Sequence, residues 1–390
     1  MDTSTTRTTA TAGFRWSNVN EPHAERRKQI LKQHPELRQL FVRDPAFVWV
    51  STAITTTMIV IGYLLQEADW PLVLMLGYIY GGMVGNQVVL MVHDANHNQA
   101  FGVNHVLLNR LHEMFINMPF LTPFATNNAL THHFHHMYLG QKHMDPDVPL
   151  EFEGRLFNTP LTKLLWYALL PWLNVVRIVD KVKHQSKVTK RALIDLEYMN
   201  IAVCATFFMY ICSYWTLKSV VFFMLIPYFG TSPFHPSSYH YISDHYQFDT
   251  RTELYSYYGL LNYITFNIGY HVEHHDLPQV PCGYLPLVRK TAPEFYTNIG
   301  IHKSALGCVW NFVFNSSMSP YCRVLRTMTR LPLPKLKHAL PKLYFEVNGL
   351  LANANLGPRL IAKSARSGSI DQTRSDKGCA VTSSELTLIN

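Results

Sequence analysis

The sequence predicts an all-α integral membrane protein with four transmembrane helices in two hairpins, together with interfacial helices and a histidine-rich cytoplasmic cap. Three observations predict this class. Only 15% of the residues are charged, well below the quarter that is usual in soluble domains, while 48% are hydrophobic. Four stretches are apolar over roughly the 20 residues that a bilayer crossing requires. Nine of the 20 histidines lie in three short motifs outside those stretches.

The four predicted spans are 47–66, 71–92, 196–215 and 219–236. The link within each pair is very short, around Glu67–Trp70 in the first and Thr216–Lys218 in the second, so each pair is predicted to form a helical hairpin. On the second span, Gly77, Gly81 and Gly85 repeat at the spacing of closely packed membrane helices. Close helix packing is therefore expected along that face.

The distribution of Lys and Arg predicts the orientation of the chain. If both links face the lumen, Lys218 is the one basic residue on that side, which leaves 33 of the 34 Lys and Arg in the other segments and none in the spans. The positive-inside rule then predicts that both termini are cytoplasmic. The same orientation places the histidine motifs together on the cytoplasmic side.

Two further apolar stretches, 106–125 and 162–178, are predicted to be interfacial or re-entrant helices. The first contains Arg110 and Glu113, and a full crossing there would put the first two histidine motifs on opposite sides of the membrane. These two helices are therefore expected to lie against the four spans without adding a crossing.

The chain is predicted to comprise a cytoplasmic N-terminal segment (1–46), a membrane domain (47–330) and a cytoplasmic tail (331–390). The tail is polar and Ser-rich from about residue 350, a composition typical of partial disorder. The net charge of +8 suits an anionic cytoplasmic leaflet better than nucleic acid, because no DNA-reading motif is present. Six cysteines without a C-x-x-C pair support neither a zinc ribbon nor a disulfide framework.

Three short motifs carry the chemistry that the sequence indicates. They are HDANH (His93, His97), HHFHH (His132, His135, His136) and HVEHH (His271, His274, His275). On a helix, residues at i, i+3 and i+4 share one face, so each H-x-x-H-H motif is expected to aim three imidazoles at a single point. We interpret the motifs as metal-ligand boxes.

The number of histidines predicts two metal ions. The boxes supply eight imidazoles, and His245 supplies a ninth. One zinc ion takes about four ligands, so nine are too many for one ion and suit two. Imidazole binds iron, zinc, copper and nickel alike, but a two-metal histidine site beside a membrane is typical of oxygen-activating di-iron enzymes. His240 is five residues before His245, which corresponds to about 500° of helical rotation. The two side chains therefore point in different directions, and only one of them is expected to be a ligand.

Carboxylates within or beside the boxes are candidates for the groups that orient metal-bound imidazoles by accepting their second N–H. These candidates are Asp94, Asp145, Asp147, Asp244, Glu273 and Asp276. Asp244 is adjacent to His245, but neighbouring helical residues point apart, so it is not expected to orient that ring.

The remaining histidines divide into two groups. Isolated ones are interpreted as ordinary surface or core residues: His23, His34, His105, His112, His184, His302 and His338. His133, His143, His235 and His240 are left open between ligand and polar neighbour.

The box pattern resembles that of the integral-membrane fatty acid desaturases and related hydroxylases. More narrowly, NEPHAERRKQILKQHPELRQLF near the start, SYYGLLNYITFNIGYHVEHHDLPQVP and LPLVRK are similar to the sphingolipid Δ4-desaturase, or dihydroceramide desaturase, family, and the resemblance runs from Phe14 to Arg330. It implies that the box histidines and His245 are ligands of two iron ions. It also implies an O2-dependent introduction of a 4,5-trans double bond into the sphinganine chain of dihydroceramide, in the endoplasmic reticulum membrane.

The resemblance further implies that electrons come from cytochrome b5 and its NADH-dependent reductase. The chain has neither a G-x-G-x-x-G fingerprint nor a fused cytochrome b5 motif of its own. Two alternatives remain open at this stage. One is a C4-hydroxylase, or a bifunctional desaturase/hydroxylase, that uses the same site. The other, from a different class, is a zinc-dependent membrane hydrolase or an inactive lipid-binding relative.

Overall fold

A computed structural model describes residues 13–189, 194–249 and 252–327 of the 390-residue chain. Within these residues it contains four helical segments that are long and apolar enough to cross a membrane. They are Pro45–Glu67, Trp70–Asn96, Leu196–Tyr214 and Leu217–Ser243. All four predicted spans are confirmed, and the second and fourth continue beyond their predicted ends toward the histidines. The predicted tail (331–390) and His338 lie outside the described residues.

The described residues form fourteen α-helices and four short strands. The helices are α1 His23–Gln33, α2 Pro45–Leu64, α3 Trp70–Leu76, α4 Gly82–Asn96, α5 Val106–Asn117, α6 Ala125–Met137, α7 Glu151–Leu156, α8 Pro160–Thr189, α9 Ile194–Tyr214, α10 Leu217–Thr231, α11 His240–Ser243, α12 His271–Asp276, α13 Leu285–Thr291 and α14 Ala305–Phe314. The strands are β1 Arg15–Ser17, β2 Tyr255–Tyr257, β3 Gly300–His302 and β4 Val324–Arg326. Strands β1 and β4 pair in parallel, as do β2 and β3.

The second and fourth spans pack closely because glycines remove side chains from their contact. A Cβ atom on Gly85 would lie 2.3 Å from the Ile226 carbonyl oxygen, and one on Gly230 would lie 2.4 Å from the Gly85 carbonyl carbon. A π-helical turn at Gly77–Gly81 joins α3 to α4 along the same span. Because α4 carries His93 in its last turn, this contact also holds the first histidine box in position.

The stretches predicted to be interfacial helices are helical, and neither is among the four candidate spans. The first forms α5, and a second helix, α6, begins at Ala125 and carries the HHFHH motif. Arg110 and Glu113 of α5 are fully buried and form an ion pair. The second stretch lies within the longer helix α8. Their position relative to the membrane surface stays a prediction.

The N-terminal segment packs against the third histidine box. Ile30 of α1 and Leu37 lie in one apolar cluster with Val272 of α12 and Leu285 and Val288 of α13. Strand β1 pairs with β4, which ties the same segment to the last described residues. The part of 1–46 that the structure describes therefore covers the histidine-rich region, while the domain boundaries at 46 and 330 stay predictions.

Candidate metal centre

Each histidine box lies on or beside a helix end, and these helix ends face a common interior region. His93 is in the last turn of α4, and His97 is the residue that caps it. Helix α6 carries the second box in its last two turns, and the short helix α12 is the third box itself. His245 follows α11, after the helical path of the fourth span is interrupted between Thr231 and Pro236.

Five imidazoles form the first cluster. Its members are His93, His97, His132, His136 and His274. Their Nε2 atoms lie next to one another: His93 to His274 at 3.0 Å, His274 to His136 at 3.0 Å, His136 to His132 at 2.9 Å and His132 to His97 at 3.0 Å. Helices from all three boxes thus contribute to one group of nitrogens.

Four imidazoles form the second cluster. His135, His245 and His275 have ligand atoms that lie within 4.8 Å of one another. The Nε2 atom of His245 is 3.1 Å from that of His135 and 2.9 Å from that of His271, which makes His271 the fourth member. His245 is central to this cluster.

The expectation that each box aims at a single point is wrong, because the second and third boxes are divided between the clusters. Successive helical residues are rotated by about 100°, so i and i+4 differ by only about 40° while i+3 lies about 100° from i+4. Accordingly His132 and His136 face the first cluster and His135 faces the second. In the third box, His271 and His275 face the second cluster and His274 faces the first. Each of these helices therefore connects the two clusters.

The nitrogen separations fit metal ions. Ligands at right angles on an ion with bonds of about 2.1 Å lie about 3.0 Å apart, whereas tetrahedral ligands lie about 3.4 Å apart. The observed separations of 2.9–3.1 Å are close to the first value. The Nε2 atom of His275 is buried without a hydrogen-bond partner and faces the second cluster. A buried imidazole nitrogen without a hydrogen-bond partner fits the role of a metal ligand.

The clusters favour neutral imidazoles, which are the form that binds metals. Burial lowers the pKa of His97, His136 and His274 well below the usual value, and neighbouring histidines lower it further. In the second cluster, burial again lowers the pKa of His245, with smaller effects from the charges of His271, His135 and Arg323. His135 differs: burial opposes its protonation, but the carboxylates of Asp147 and Asp145 raise its pKa overall.

Four carboxylates face Nδ1 atoms of clustered histidines. Asp94 Oδ1 lies 3.0 Å from His93 Nδ1, and Asp145 Oδ1 lies 2.8 Å from His135 Nδ1. Asp147 is farther from His135 Nδ1, at 3.5 Å. Asp244 lies 3.3 Å from Nδ1 of His271 in the third box. The sequence did not indicate this contact, because the two residues are far apart in the chain. The carboxylates of Asp94 and Asp145 lie within hydrogen-bond geometry and can fix the orientation of their rings. His271 Nδ1 makes no hydrogen bond, so Asp244 contributes a charge beside that ring.

Glu273 and Asp276 have other partners. The Glu273 carboxylate accepts hydrogen bonds from the hydroxyls of Ser256 and Tyr258. Asp276 contacts His23 Nδ1 at 2.8 Å and accepts hydrogen bonds from the guanidinium of Arg26. These two acids hold the third box in place through its backbone and do not face a clustered ring.

His23, interpreted from sequence as an ordinary residue, lies beside the second cluster. It is 5% exposed, and its ring centroid is 5.2 Å from that of His275. Arg27 donates to the carbonyl oxygens of His275 and Asp276. The signal in the sequence was the spacing of His23, Arg26 and Arg27 at i, i+3 and i+4, which places all three on one face of α1.

Of the histidines left open, His240 lies apart from both clusters. Its Nε2 atom lies 2.9 Å from the side-chain nitrogen of Asn86, which gives the ring a hydrogen-bond partner. His133 is exposed on α6, and His235 is buried with Nδ1 2.7 Å from the Ser237 hydroxyl. None of the three belongs to a metal-ligand group among the described residues.

A cavity of about 550 Å³ opens onto the clusters. His93, His132, His135, His245 and His271 form part of its wall. Apolar side chains from the second and fourth spans, from the turn before α6 and from α8 line much of the remainder: Val89, Leu90, Phe120, Phe124, Leu170, Met224, Leu225 and Ile268. A cavity of this composition can hold an apolar chain and bring one part of it to the histidines.

Comparison with known proteins gives consistent matches over most of the chain. A family model described as "Fatty acid desaturase" matches residues 68–306, and one described as "Sphingolipid Delta4-desaturase (DES)" matches residues 11–46. The sphingolipid delta(4)-desaturase/C4-monooxygenase DES2 of Mus musculus is 38% identical over 317 residues, covering 81% of this chain and 96% of that protein.

Two further relatives give similar values. DES2 of Homo sapiens is 39% identical over 313 residues, which cover 80% of this chain and 94% of that protein. The sphingolipid delta(4)-desaturase DES1 of Xenopus tropicalis is 38% identical over 316 residues, which cover 81% and 95% respectively.

Proposed function

Because the chain belongs to the sphingolipid delta(4)-desaturase family within the fatty acid desaturases, we propose that this multi-pass membrane oxidoreductase converts dihydroceramide to ceramide. The reaction is the O2-dependent introduction of a 4,5-trans double bond into the sphinganine chain. The observation that carries this proposal is the cavity, because apolar membrane helices and both histidine clusters line the same space.

Two iron ions are the proposed cofactors, one held by the five imidazoles of the first cluster and one by the four of the second. When bound, such a pair supplies the activation of O2 that removal of hydrogen from an unactivated carbon requires. Five neutral nitrogens exceed the four ligands that a tetrahedral zinc site takes, which supports an oxygenase over the zinc-dependent hydrolase.

The chain's own residues position the substrate and exclude water. Val89 and Leu90 precede His93 by about one helical turn, so an apolar chain that contacts them also reaches the clusters. Asp145 orients His135 through a hydrogen bond to Nδ1, and Asp244 places a carboxylate beside His271; both rings face the cavity. Exclusion of water by the apolar wall protects the reaction from side products.

C4-hydroxylation is the second candidate function. The specific observation that favours it is that relatives at 38–39% identity are named delta(4)-desaturase/C4-monooxygenases. Both reactions begin with hydrogen removal from the same carbon, so one site can carry out either, and the ratio of products is the quantity to measure.

Cytochrome b5 and its NADH-dependent reductase are the proposed electron donors, and the endoplasmic reticulum membrane is the proposed location. The basic residues outside the spans would attract an acidic electron carrier to the cytoplasmic side.

We expect both termini to face the cytoplasm, because the link at Lys218 is the only proposed lumenal segment with a basic residue. A glycosylation sequon introduced near the N-terminus should stay unmodified in cells, whereas one placed in an extended loop at Thr216–Lys218 should be glycosylated. Modification of the N-terminal sequon would contradict this orientation.

The function is tested by lipid mass spectrometry of desaturase-null cells that express this protein. We expect 4,5-unsaturated ceramide to accumulate from dihydroceramide, with any 4-hydroxylated product quantified in the same extract. A chain with His97 and His135 both replaced by Ala is the matched control, since it loses one nitrogen from each cluster. Equal lipid profiles for the wild type and this control would refute the proposed function.

A further inference from the structure

The proposed reaction places a strict demand on the polar headgroup of the substrate, and this inference rests on that proposed function. The C3 hydroxyl of dihydroceramide is on the carbon next to C4, where the reaction occurs, and the C2 amide is one carbon farther away. The headgroup must therefore lie next to the histidine clusters and cannot remain at a distant membrane surface. A polar side chain beside the clusters has to receive it.

Arg323 has the properties of such a group. It is only 5% exposed, yet it lines the cavity. Among the described residues its guanidinium has neither a hydrogen-bond nor an ion-pair partner; its contact is with the ring of Tyr246, whose centroid lies 5.4 Å away. Tyr246 directly follows His245 in the chain, so Arg323 is close to the second cluster.

Neighbouring arginines are satisfied, which makes Arg323 an exception. Arg177 also lines the cavity, but it donates to both oxygens of Glu153 and to Asn174. Arg326 pairs with Glu253 and donates to the carbonyl of Leu139. The buried carboxylates of Asp145 and Asp244 attract the Arg323 guanidinium only at longer range, so its hydrogen-bonding capacity is left for a group in the cavity.

The backbone holds Arg323 in a fixed position. Its N–H donates to the Tyr321 carbonyl at 2.7 Å, and the next residue, Val324, begins the strand that pairs with β1. The side chain is thus directed into the cavity by a paired strand, and a group held in this way can set the register of a bound chain.

The surroundings favour a neutral headgroup. The half-exposed carboxylate of Asp147 lines the same cavity and would repel a phosphate. Amide and hydroxyl oxygens accept hydrogen bonds from a guanidinium without adding negative charge beside Asp147.

We propose that Arg323 donates hydrogen bonds to the amide or hydroxyl oxygens of the sphingolipid headgroup and thereby positions C4 at the histidine clusters. Arg323 is a specificity-determining residue in this proposal, since it fixes which carbons of the chain reach the site. Aliphatic side chains elsewhere in the cavity can bind the chain but cannot fix its register.

The test uses full-length Arg323→Leu, Arg323→Gln and Arg323→Lys, with Arg43→Leu as a control that removes an exposed arginine outside the cavity. We expect Arg323→Leu to raise the KM for dihydroceramide by roughly tenfold or more, as loss of a charged hydrogen bond implies. Part of its product should carry the double bond away from C4–C5. Arg323→Lys and Arg323→Gln should restore part of both properties, while iron content stays at the wild-type level.

A binding measurement separates this inference from the proposed function. Dihydroceramide and its 1-phosphate are titrated into metal-stripped wild type and Arg323→Leu, and weaker binding of dihydroceramide to the variant supports the inference whatever the turnover. Equal binding, with unchanged KM and double-bond position in all three variants, would overturn it. So would loss of iron in all three variants, which indicates a structural role, or tighter binding of the 1-phosphate than of dihydroceramide to the wild type.

Discussion

Replacement of any histidine in the third box by Ala should reduce product to below about 1% of wild type while the protein still inserts into the membrane. Each of these imidazoles lies in a cluster in which no neighbour can replace it. His274 Nε2 is 3.0 Å from Nε2 atoms of two other boxes, those of His93 and His136. His271 and His275 face the second cluster.

The histidines of the third box are divided between the two clusters, so the iron content of each variant can be predicted as well as its activity. His274→Ala should weaken metal binding at the first cluster, and His275→Ala should weaken it at the second. Each purified variant should therefore retain about half of the wild-type iron. His105→Ala, which removes an exposed imidazole at the start of α5, is the control and should keep both iron and turnover. Full activity in any one of the three box variants would exclude that residue as a ligand.

The spans and boxes could be predicted from sequence because they depend on local properties. A bilayer crossing is signalled by about 20 consecutive apolar residues, and helical spacing is signalled by the i, i+3, i+4 pattern. The same local reasoning missed the division of the second and third boxes, because it treated i+3 and i+4 as one direction. The rotation between them is about 100°, which is enough to separate two ions.

Contacts between distant segments could not be predicted in this way. His23 and Asp276 are 253 residues apart, and only the packing of α1 on α12 brings them together. Asp244 is the chain neighbour of His245, but its carboxylate lies 3.3 Å from His271 Nδ1. Arg323 carries no motif at all, and its lack of a partner is visible only once the cavity around it is formed.

These long-range contacts explain how the centre is held rigid. The third box is a helix of six residues, too short to be stable alone. Its helix is fixed from outside by Arg26 and Arg27 of α1 and from inside by Ser256 and Tyr258, which bond to Glu273. The N-terminal segment therefore helps to hold the proposed metal centre in place.

His245→Ala should lose about half of its iron and lower turnover by more than about 100-fold, although no short motif contains this residue. Its Nε2 atom lies 3.1 Å from that of His135 and 2.9 Å from that of His271, so it connects the second and third boxes within the second cluster. The first cluster has five nitrogens of its own and should keep its ion.

His240→Ala is the matched comparison, because His240 is five residues earlier on the same segment and also lines the cavity. Its Nε2 atom is occupied by a contact with Asn86 at 2.9 Å, and its Nδ1 atom is 3.9 Å from Asp244. This variant should therefore retain the full iron content of the wild type, with normal or reduced turnover. Iron is measured on purified protein for both variants. Equal iron in the wild type and His245→Ala would show that the eight box histidines suffice, whereas iron loss in His240→Ala alone would reverse the two assignments.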